Sequence, residues 1–357
     1  MFRILVINPG STSTKISVFD GDKEICEASL SHEMETINSF ERIVDQVDFR
    51  SDIVLEDLKQ AGIELSSLHA VVGRGGLVNP ITSGTYRVND QMIADLNTNE
   101  NGEHASNLGA ILARKIADPL GIPSFIVDPV VVDEMEDVAR LSGHPLLPRL
   151  SILHALNQKA VGRRYAKEQG KNYQDLHLII AHLGGGISVA AHKKGRMVDT
   201  NNALSGDGPF SPERAGGVPS YALAKLCFEG DCSENEVERM LVGKGGYVSY
   251  LGTNDGRVVS KMVEEGNKEA ALVQDALAYQ VSKEIGANAA VLCGEVDAII
   301  LTGGLAYNKD ITDYIAEHVS FIAPVTLYPG ENEMEALNEG GQRVLRGEED
   351  AKEYTSY

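Results

Sequence analysis

The sequence predicts an α/β chain folded as two similar halves. Three observations predict it. Strand-like and helix-like stretches alternate along the chain, one strand–turn–strand pattern occurs twice, and 357 residues suffice for two domains with cores of their own. The repeat sets "ILVINPGSTSTKISVFDGDKEI" (4–25) beside "LIIAHLGGGISVAAHKKGRMV" (178–198). In each, an apolar strand ends in a polar residue, a spacer and a glycine: Asn8-Pro9-Gly10 and His182-Leu183-Gly184. Each resumes with Ile-Ser-Val, at 16–18 and 187–189, and turns at Gly21 or Gly195 into a third short strand.

Taken in order, apolar or alternating runs predict strands at 3–8, 15–20 and 23–30, followed by helices at 37–47 and 52–61. A buried run at 69–73 gives a strand, 89–97 and 106–117 carry helical spacing, and 123–128 is a strand. A helix at 151–169 leads into strands at 177–182, 187–192 and 196–199, and helices are expected at 219–228, 233–241 and 257–265. The stretch 268–293 is rich in Ala, Leu and Val, which predicts a buried helix. A strand at 297–302 precedes a helix at 309–318 with Asn308 placed to cap it, then a strand at 324–328 and a helix at 333–346. The acidic tail "GEEDAKEYTSY" is expected to fray.

A net charge of −20 argues against nucleic acid or an anionic membrane as partner, since either needs a basic face. An anionic substrate would need a local positive pocket inside a repelling envelope. No apolar run approaches the length of a membrane span. The opening Met-Phe-Arg runs into a core-like strand without a signal-peptide pattern, so the cytoplasm is the expected location. Cys26, Cys227, Cys232 and Cys293 lack metal-ligand spacing and are expected to be reduced thiols.

Three glycine-rich breaks carry the functional reading. The first, Gly10 to Lys15, is not a P-loop: β-branched residues alternate after Lys15 where a P-loop starts a helix, and the G-x-x-x-x-G-K-[ST] spacing is absent. A hairpin tip offering amides, the Ser11 and Ser13 hydroxyls and the Lys15 ammonium suits phosphate oxygens, although a plain polar turn has the same composition. The second, Gly184-Gly185-Gly186, costs roughly 0.5–1 kcal/mol per residue relative to alanine, which points to a close approach to the backbone. The third, Thr302-Gly303-Gly304, joins a buried strand to the helix after Asn308, a junction suited to a purine or ribose phosphate and equally to a tight turn. Together the three breaks favour a bound nucleotide.

The segments "VINPGSTSTKIS", "VVGRGG", "HLGGGISVAAHKKGRMVDTNNALSGDGPFSPERAG" and "LTGGLAYN" resemble the acetokinase family of carboxylate kinases. That family lies in the acetate and sugar kinase, heat-shock chaperone and actin superfamily, and the resemblance covers nearly the whole chain. It implies a duplicated ribonuclease-H-like (actin-like ATPase) fold of two domains with an interdomain cleft that holds ATP. The domains would be 1–149 on the acceptor side, rejoined by 333–357, and 150–332 on the nucleotide side. The implied reaction moves the γ-phosphoryl of ATP in line, without a phosphoenzyme, to a short-chain carboxylate, with Mg²⁺ as cofactor. Butyrate is the favoured acid, with isobutyrate, acetate or propionate as alternatives; a homodimer is the expected assembly. A nucleotide-driven switch protein is the reading from a different class, and it would want an extra domain that the chain does not display.

The resemblance also assigns residues. Arg74, in "GRGG", would face the carboxylate and the transferring phosphoryl, and Arg214, in "SPERAGG", would be the second arginine. Asp128, closing "PSFIVD", would stand near the metal and the acceptor. Asn8, Gly10, Ser11, Ser13 and Lys15 match the first phosphate loop, with Asn8 also near the metal, and His182 matches a donor to the phosphate or the transition state. Gly184, Gly185, Gly186, Gly303, Gly304 and Asn308 would hold the nucleotide. His104 would either border the acceptor pocket or cap the following helix. The late carboxylate near the metal is Glu333 or Glu335, of which Glu335 is preferred. One departure stands out: where acetate kinases carry two histidines in an "HGTSH"-like stretch, "RLSILHALNQ" keeps only His154, so the earlier histidine's role is not carried over.

Overall fold

The strands form two sheets, one in each half of the chain. The structure is a computed structural model that describes residues 1–98 and 100–356; Asn99 and Tyr357, the last residue of the expected 333–357 segment, lie outside the described residues. The strands are β1 (Arg3–Pro9), β2 (Ser13–Asp20), β3 (Lys23–Ser31), β4 (Ala70–Arg74), β5 (Thr85–Arg87), β6 (Ser124–Val127), β7 (His177–Leu183), β8 (Ile187–Lys193), β9 (Arg196–Thr200), β10 (Ala298–Gly303), β11 (Val325–Pro329) and β12 (Lys352–Glu353). The first sheet has the order β12-β5-β6-β4-β1-β2-β3 and the second β11-β10-β7-β8-β9.

Without β5 and β12 the two orders are the same plan. Three strands run as an antiparallel meander, and two more extend it in parallel from its first strand, β4 on β1 and β6 on β4, β10 on β7 and β11 on β10. The echo between 4–25 and 178–198 is the meander seen twice. Parallel strands need crossovers, and helices supply them. The helices are α1 (Met34–Asn38), α2 (Val47–Gln60), α3 (Asp90–Thr98), α4 (Asn107–Ala117), α5 (Asp137–Arg140), α6 (Ala155–Glu168), α7 (Ser220–Glu229), α8 (Glu234–Leu241), α9 (Gly246–Leu251), α10 (Gly256–Glu264), α11 (Lys268–Val291), α12 (Lys309–Val319) and α13 (Glu333–Leu345).

The chain divides into two compact units: Met1–Val132 joined by the segment from Asn332 onward, and Asp133–Glu331. The boundary falls at 132/133 rather than the expected 149/150 because residues 133–149 are tied to the second sheet. The Glu136 amide donates to the Val198 carbonyl at 2.9 Å, Arg149 reaches Asp199 at 2.9 Å, and Glu134 pairs with buried Lys159 at 2.7 Å. In the first unit Leu5, Ile7, Ile16 and Val18 pack with Val54 and Leu58 of α2 and Leu108 and Leu112 of α4. In the second, Ile179, Val189, Ile299 and Leu301 pack with Leu277 and Val281 of α11.

Several elements depart from expectation. The helix expected at 37–47 is broken: the Ser39 hydroxyl donates to the Thr36 carbonyl at 2.7 Å and ends α1, and the Asp45 carboxylate takes the Arg42 amide at 3.0 Å and opens a fresh turn. The helix expected from 151 starts at Ala155, because the Ile152 carbonyl accepts from the Ala203 amide at 2.9 Å instead. α11 is not buried all round: Val273, Leu277, Val281 and Ile285 face the core while Leu272 and Tyr279 are exposed. The tail is not frayed; β12 pairs with β5, and Tyr354 is buried with its hydroxyl donating to Asp95 at 2.6 Å. β5, α5, α9 and β12 went unanticipated, each being six residues or shorter.

Candidate active site

In the first unit the site grows from the carboxyl ends of three adjacent parallel strands. The register Ile7↔Gly73 puts Asn8 beside Arg74, and Arg74↔Val127 puts Asp128 one step beyond. Strand ends of this kind are where open α/β sheets bind ligands. Arg74 is held in place from behind: a Cβ on Gly73 would lie 2.0 Å from the Gly109 carbonyl oxygen, so α4 rests backbone to backbone on β4. Arg74 Nη1 reaches Glu333 Oε2 at 2.8 Å and Asn8 Oδ1 at 3.3 Å, and Asn8 Nδ2 donates to the same Glu333 oxygen at 2.8 Å. Nε and Nη2 of Arg74 meet no protein acceptor among the described residues, which leaves one edge of the guanidinium for an anion.

Asp128 is buried and left-handed, with φ of 39°. A non-glycine residue there carries strain of about 1–3 kcal/mol, and such strain gathers at functional sites. Reciprocal bonds fix it: its amide donates to the Gly84 carbonyl at 3.1 Å and its Oδ1 accepts the Gly84 amide at 2.7 Å.

The first loop sits between β1 and β2. The Gly10 amide donates to the Ser13 carbonyl at 2.8 Å and closes the tip, where Ser11 is exposed. Lys15 lies opposite Asn8 in the strand pair, with its ammonium on Glu27 at 2.5 Å; that hydrogen bond raises its pKa. The late carboxylate brought to Asn8 and Arg74 is Glu333, not Glu335. Both sit in the first turn of α13, but two residues are roughly 200° round a helix, so Glu335 is exposed instead. His104 Nδ1 meets the Ser106 hydroxyl at 2.8 Å and the Ser106 amide at 3.2 Å just ahead of α4, whose N-cap, Ser106, makes no side-chain capping bond.

The second unit presents the matching strand ends. Thr302↔His182 and Gly303↔Pro329 align the ends of β7, β10 and β11. His182 is buried, with Nδ1 3.0 Å from Asn157 Oδ1. Its Nε2 lies 3.0 Å from Glu331 Oε1 without forming a hydrogen bond. His154 stacks on it with ring centroids 3.7 Å apart, and His154 Nδ1 reaches Ser188 Oγ at 2.9 Å.

Arg214 lies directly on the glycine turn between β7 and β8. A Cβ on Gly186 would fall 1.8 Å from Arg214 Nη1, so only glycine admits the guanidinium. Nη1 donates to the Ala203 carbonyl at 2.7 Å, while the buried Nε has no partner among the described residues. Burial lowers the Arg214 pKa. A buried N–H left unpaired is expensive, and a ligand oxygen would relieve it. Gly184 bonds back through its amide to the Gly186 carbonyl at 3.1 Å, and the Gly185 carbonyl accepts the Ser211 hydroxyl at 2.6 Å. Gly303 is left-handed, φ 88°, and exchanges amide bonds with Gly330, while beside Gly304 the space is open. Asn308 is committed at both ends: its oxygen caps α12 through the Asp310 and Ile311 amides, and its nitrogen donates to Ser260 and Gln274.

Sequence reasoning missed Glu331, the His154–His182 stack and Arg50. Arg50 begins a buried stripe with Val54 and Leu58 at spacing four, and a lone arginine on such a stripe was the available signal. Among the described residues no three His, Cys, Asp or Glu side chains gather as a metal cluster, and no helix is long and apolar enough to cross a membrane.

The profile of the acetokinase family matches residues 149–353. Butyrate kinase 2 of Clostridium acetobutylicum is 56% identical over 353 residues, 99% of each chain. Butyrate kinase 1 of the same organism is 57% identical over 354 residues, 99% of this chain and 100% of that one. Among solved structures, acetate kinase from Porphyromonas gingivalis superposes with a TM-score of 0.81 at 19% identity, covering 97% of this chain and 100% of that one. A propionate kinase from Francisella tularensis gives 0.76 at 18%, covering 95% and 99%. These kinases share the actin-like ATPase fold, and the twice-used sheet plan is that fold. Likeness over whole length, in sequence and in sheet order alike, leaves one conclusion: the chain belongs to the acetokinase family.

Proposed function

We propose that this chain is a butyrate kinase, converting ATP and butyrate to ADP and butyryl phosphate. The single observation that carries the choice of acid is its identity, over nearly the whole length, to two butyrate kinases. The strand-end groups support the chemistry. A carboxylate oxygen of butyrate attacks the γ-phosphorus, that O–P bond forms, the bond to the β,γ-bridging oxygen breaks, and ADP leaves with the electron pair. No proton has to be removed from an ionised acid, so the protein's work is alignment and charge. The open edge of Arg74 suits the incoming carboxylate and the phosphoryl oxygens, with Asn8 and Glu333 fixing the guanidinium. His182 Nε2 and Arg214 Nε, both buried without a hydrogen-bond partner among the described residues, suit phosphate oxygens.

Mg²⁺ fits the residues as a shared ion. Hard oxygens from Asp128, Glu333 and Asn8 would hold it together with phosphate oxygens and water, the usual ligands of this small cation. Once bound it supplies charge neutralisation on the β- and γ-phosphates.

The test is hydroxamate-coupled turnover with ATP and Mg²⁺ on straight and branched acids of two to five carbons. Butyrate should give the highest kcat/KM. Two methylenes are worth about 1.6 kcal/mol, which predicts roughly tenfold over acetate. Equal or higher kcat/KM on acetate removes the proposal.

A second copy of the chain is the partner that fits it. α7 buries none of its residues, and Tyr221 and Phe228, seven apart, are 76% and 90% exposed. Two aromatic rings on one helix face are a ready core for a symmetric interface. Sedimentation velocity should show a dimer at micromolar concentration that Phe228→Glu splits; a monomeric wild type would contradict the assembly.

A further inference from the structure

The first phosphate loop rests on a buried positive charge. Arg50 of α2 is 1% exposed, and its guanidinium spends its donors on neutral oxygens. Nη1 donates to the carbonyls of Gly10 at 2.8 Å and Ser13 at 3.0 Å and to Thr14 Oγ1 at 3.1 Å. Nη2 donates to the Ser11 carbonyl at 3.1 Å and to Gln46 Oε1 at 2.8 Å, and Nε to the same Gln46 oxygen at 3.0 Å. No carboxylate is among these partners. His32 adds no second charge: it contacts Thr14 Oγ1 at 2.9 Å, and burial pushes its pKa down to about 4.

Two consequences follow. A trans peptide carries its C=O and the next N–H on opposite edges. Pulling the Gly10 and Ser11 carbonyls inward therefore turns the Ser11 and Thr12 amides outward, and neither amide donates to an acceptor among the described residues. That is an anion-binding concavity made from the backbone. The charge beneath it is also unpaired. Burying an arginine without a counter-ion costs several kcal/mol, and hydrogen bonding alone would be met as well by a neutral donor. Burial lowers its pKa only to about 10, so the group stays cationic at neutral pH.

We propose that Arg50 is a positioning residue for phosphoryl transfer: it turns the 10–14 loop so that its amides face the nucleotide phosphates, and its uncompensated charge stabilises the anion bound there. The inference rests on the kinase reading. It extends that reading to a residue with no expected contact with either substrate.

The decisive variant is Gln46→Glu, which keeps the acceptor oxygens for Arg50 and neutralises its charge. A purely structural brace would be unharmed or strengthened. ATP binding is measured by calorimetry with Mg²⁺ and no acid, so turnover is not needed. The expected result is a melting temperature at or above that of wild type, a Kd for ATP raised fivefold to tenfold, and a KM for butyrate within twofold. A Kd within twofold of wild type in a folded Gln46→Glu protein overturns the charge role. Arg50→Lys gives the second reading: it keeps the charge and loses the fork, so ATP should bind it more tightly than Gln46→Glu, and the reverse order also overturns the proposal. Wild type that bound ATP but phosphorylated no acid would defeat the butyrate kinase reading and leave this inference standing; wild type that bound no ATP would defeat both.

Discussion

Glu333 shares one oxygen between Arg74 and Asn8, and that sharing sets what its removal does. Glu333→Gln would leave Arg74 Nη1 with a weaker acceptor and take a negative charge from the proposed Mg²⁺ position. The expected outcome is a kcat lowered about tenfold to a hundredfold and a higher Mg²⁺ concentration for half-maximal rate, since charge-assisted bonds to a preorganised group are worth a few kcal/mol. Glu335→Gln, on the exposed face of the same turn, should change kcat less than twofold. Steady-state rates against Mg²⁺ concentration check both; equal effects would return the role to either acid. Gly186 makes a second residue-scale case. An alanine methyl would sit 1.8 Å from Arg214 Nη1, so Gly186→Ala must displace that guanidinium. kcat should fall about a hundredfold with the secondary structure kept, which circular dichroism beside the rate assay would read.

At the scale of elements, β8 threads a neutral histidine through the second core. His192 is fully buried, bonded to Tyr173 at 2.6 Å and to Gln158 at 2.8 Å, and burial, followed by the Lys159 charge, lowers its pKa to about 3. The unfolded chain takes up a proton near pH 6.5 that the folded chain refuses. Stability is therefore complete above pH 6.5 and is lost as pH falls from there toward 3, at about 1.4 kcal/mol per pH unit for each such histidine. His32, lowered to about 4, acts in the same direction. Urea unfolding at pH 7, 6 and 5 should show this loss, with a shallower slope in His192→Gln; parallel slopes would remove His192 as a source. What the sequence discloses is decided at this same scale. The two meanders are legible because a period of two and a glycine turn are local signals. The strand-end positions of Asn8, Arg74, Asp128 and His182 are legible for a related reason: a polar residue closing an apolar run marks where a strand leaves the core. The choice between Glu333 and Glu335 depends on helix phase against a sheet over 250 residues away in the chain. Arg50 reads as part of an apolar stripe until its loop partners, some 40 residues earlier, are folded beneath it. β5 and β12 are three and two residues long, too short for any period, and exist because β5 pairs with β6 and β12 with β5 at one end of the same sheet.

At the scale of the whole molecule, the first unit is discontinuous and the second is one unbroken segment, and the two should differ when cut. α13 covers one face of the first sheet. A Cβ on Gly340 would lie 2.4 Å from Val127 Cγ2 and one on Gly341 2.8 Å from Val72 Cγ2, so this helix lies almost against the strands. Gln342 Nε2 and Asn338 Nδ2 donate to the Gly21 carbonyl at 3.0 and 2.9 Å, closing backbone groups near β2. Residues 1–132 alone would expose the apolar residues of β1, β4 and β6 beneath α13 and leave the Gly21 carbonyl without these donors, and each buried aliphatic side chain is worth about 1.5–3 kcal/mol. Domain stability totals only about 5–15 kcal/mol, so the fragment should not hold its fold. Residues 133–331 contain their whole sheet and its helices and should fold. Circular dichroism melts provide the measurement: a cooperative transition is expected for 133–331, none for 1–132, and a recovered transition when 332–357 is joined to 1–132 through a flexible Gly-Ser linker. A cooperative melt of 1–132 by itself would show that α13 is dispensable to the sheet, and Glu333 would then reach Arg74 from an element that the first unit does not need in order to fold.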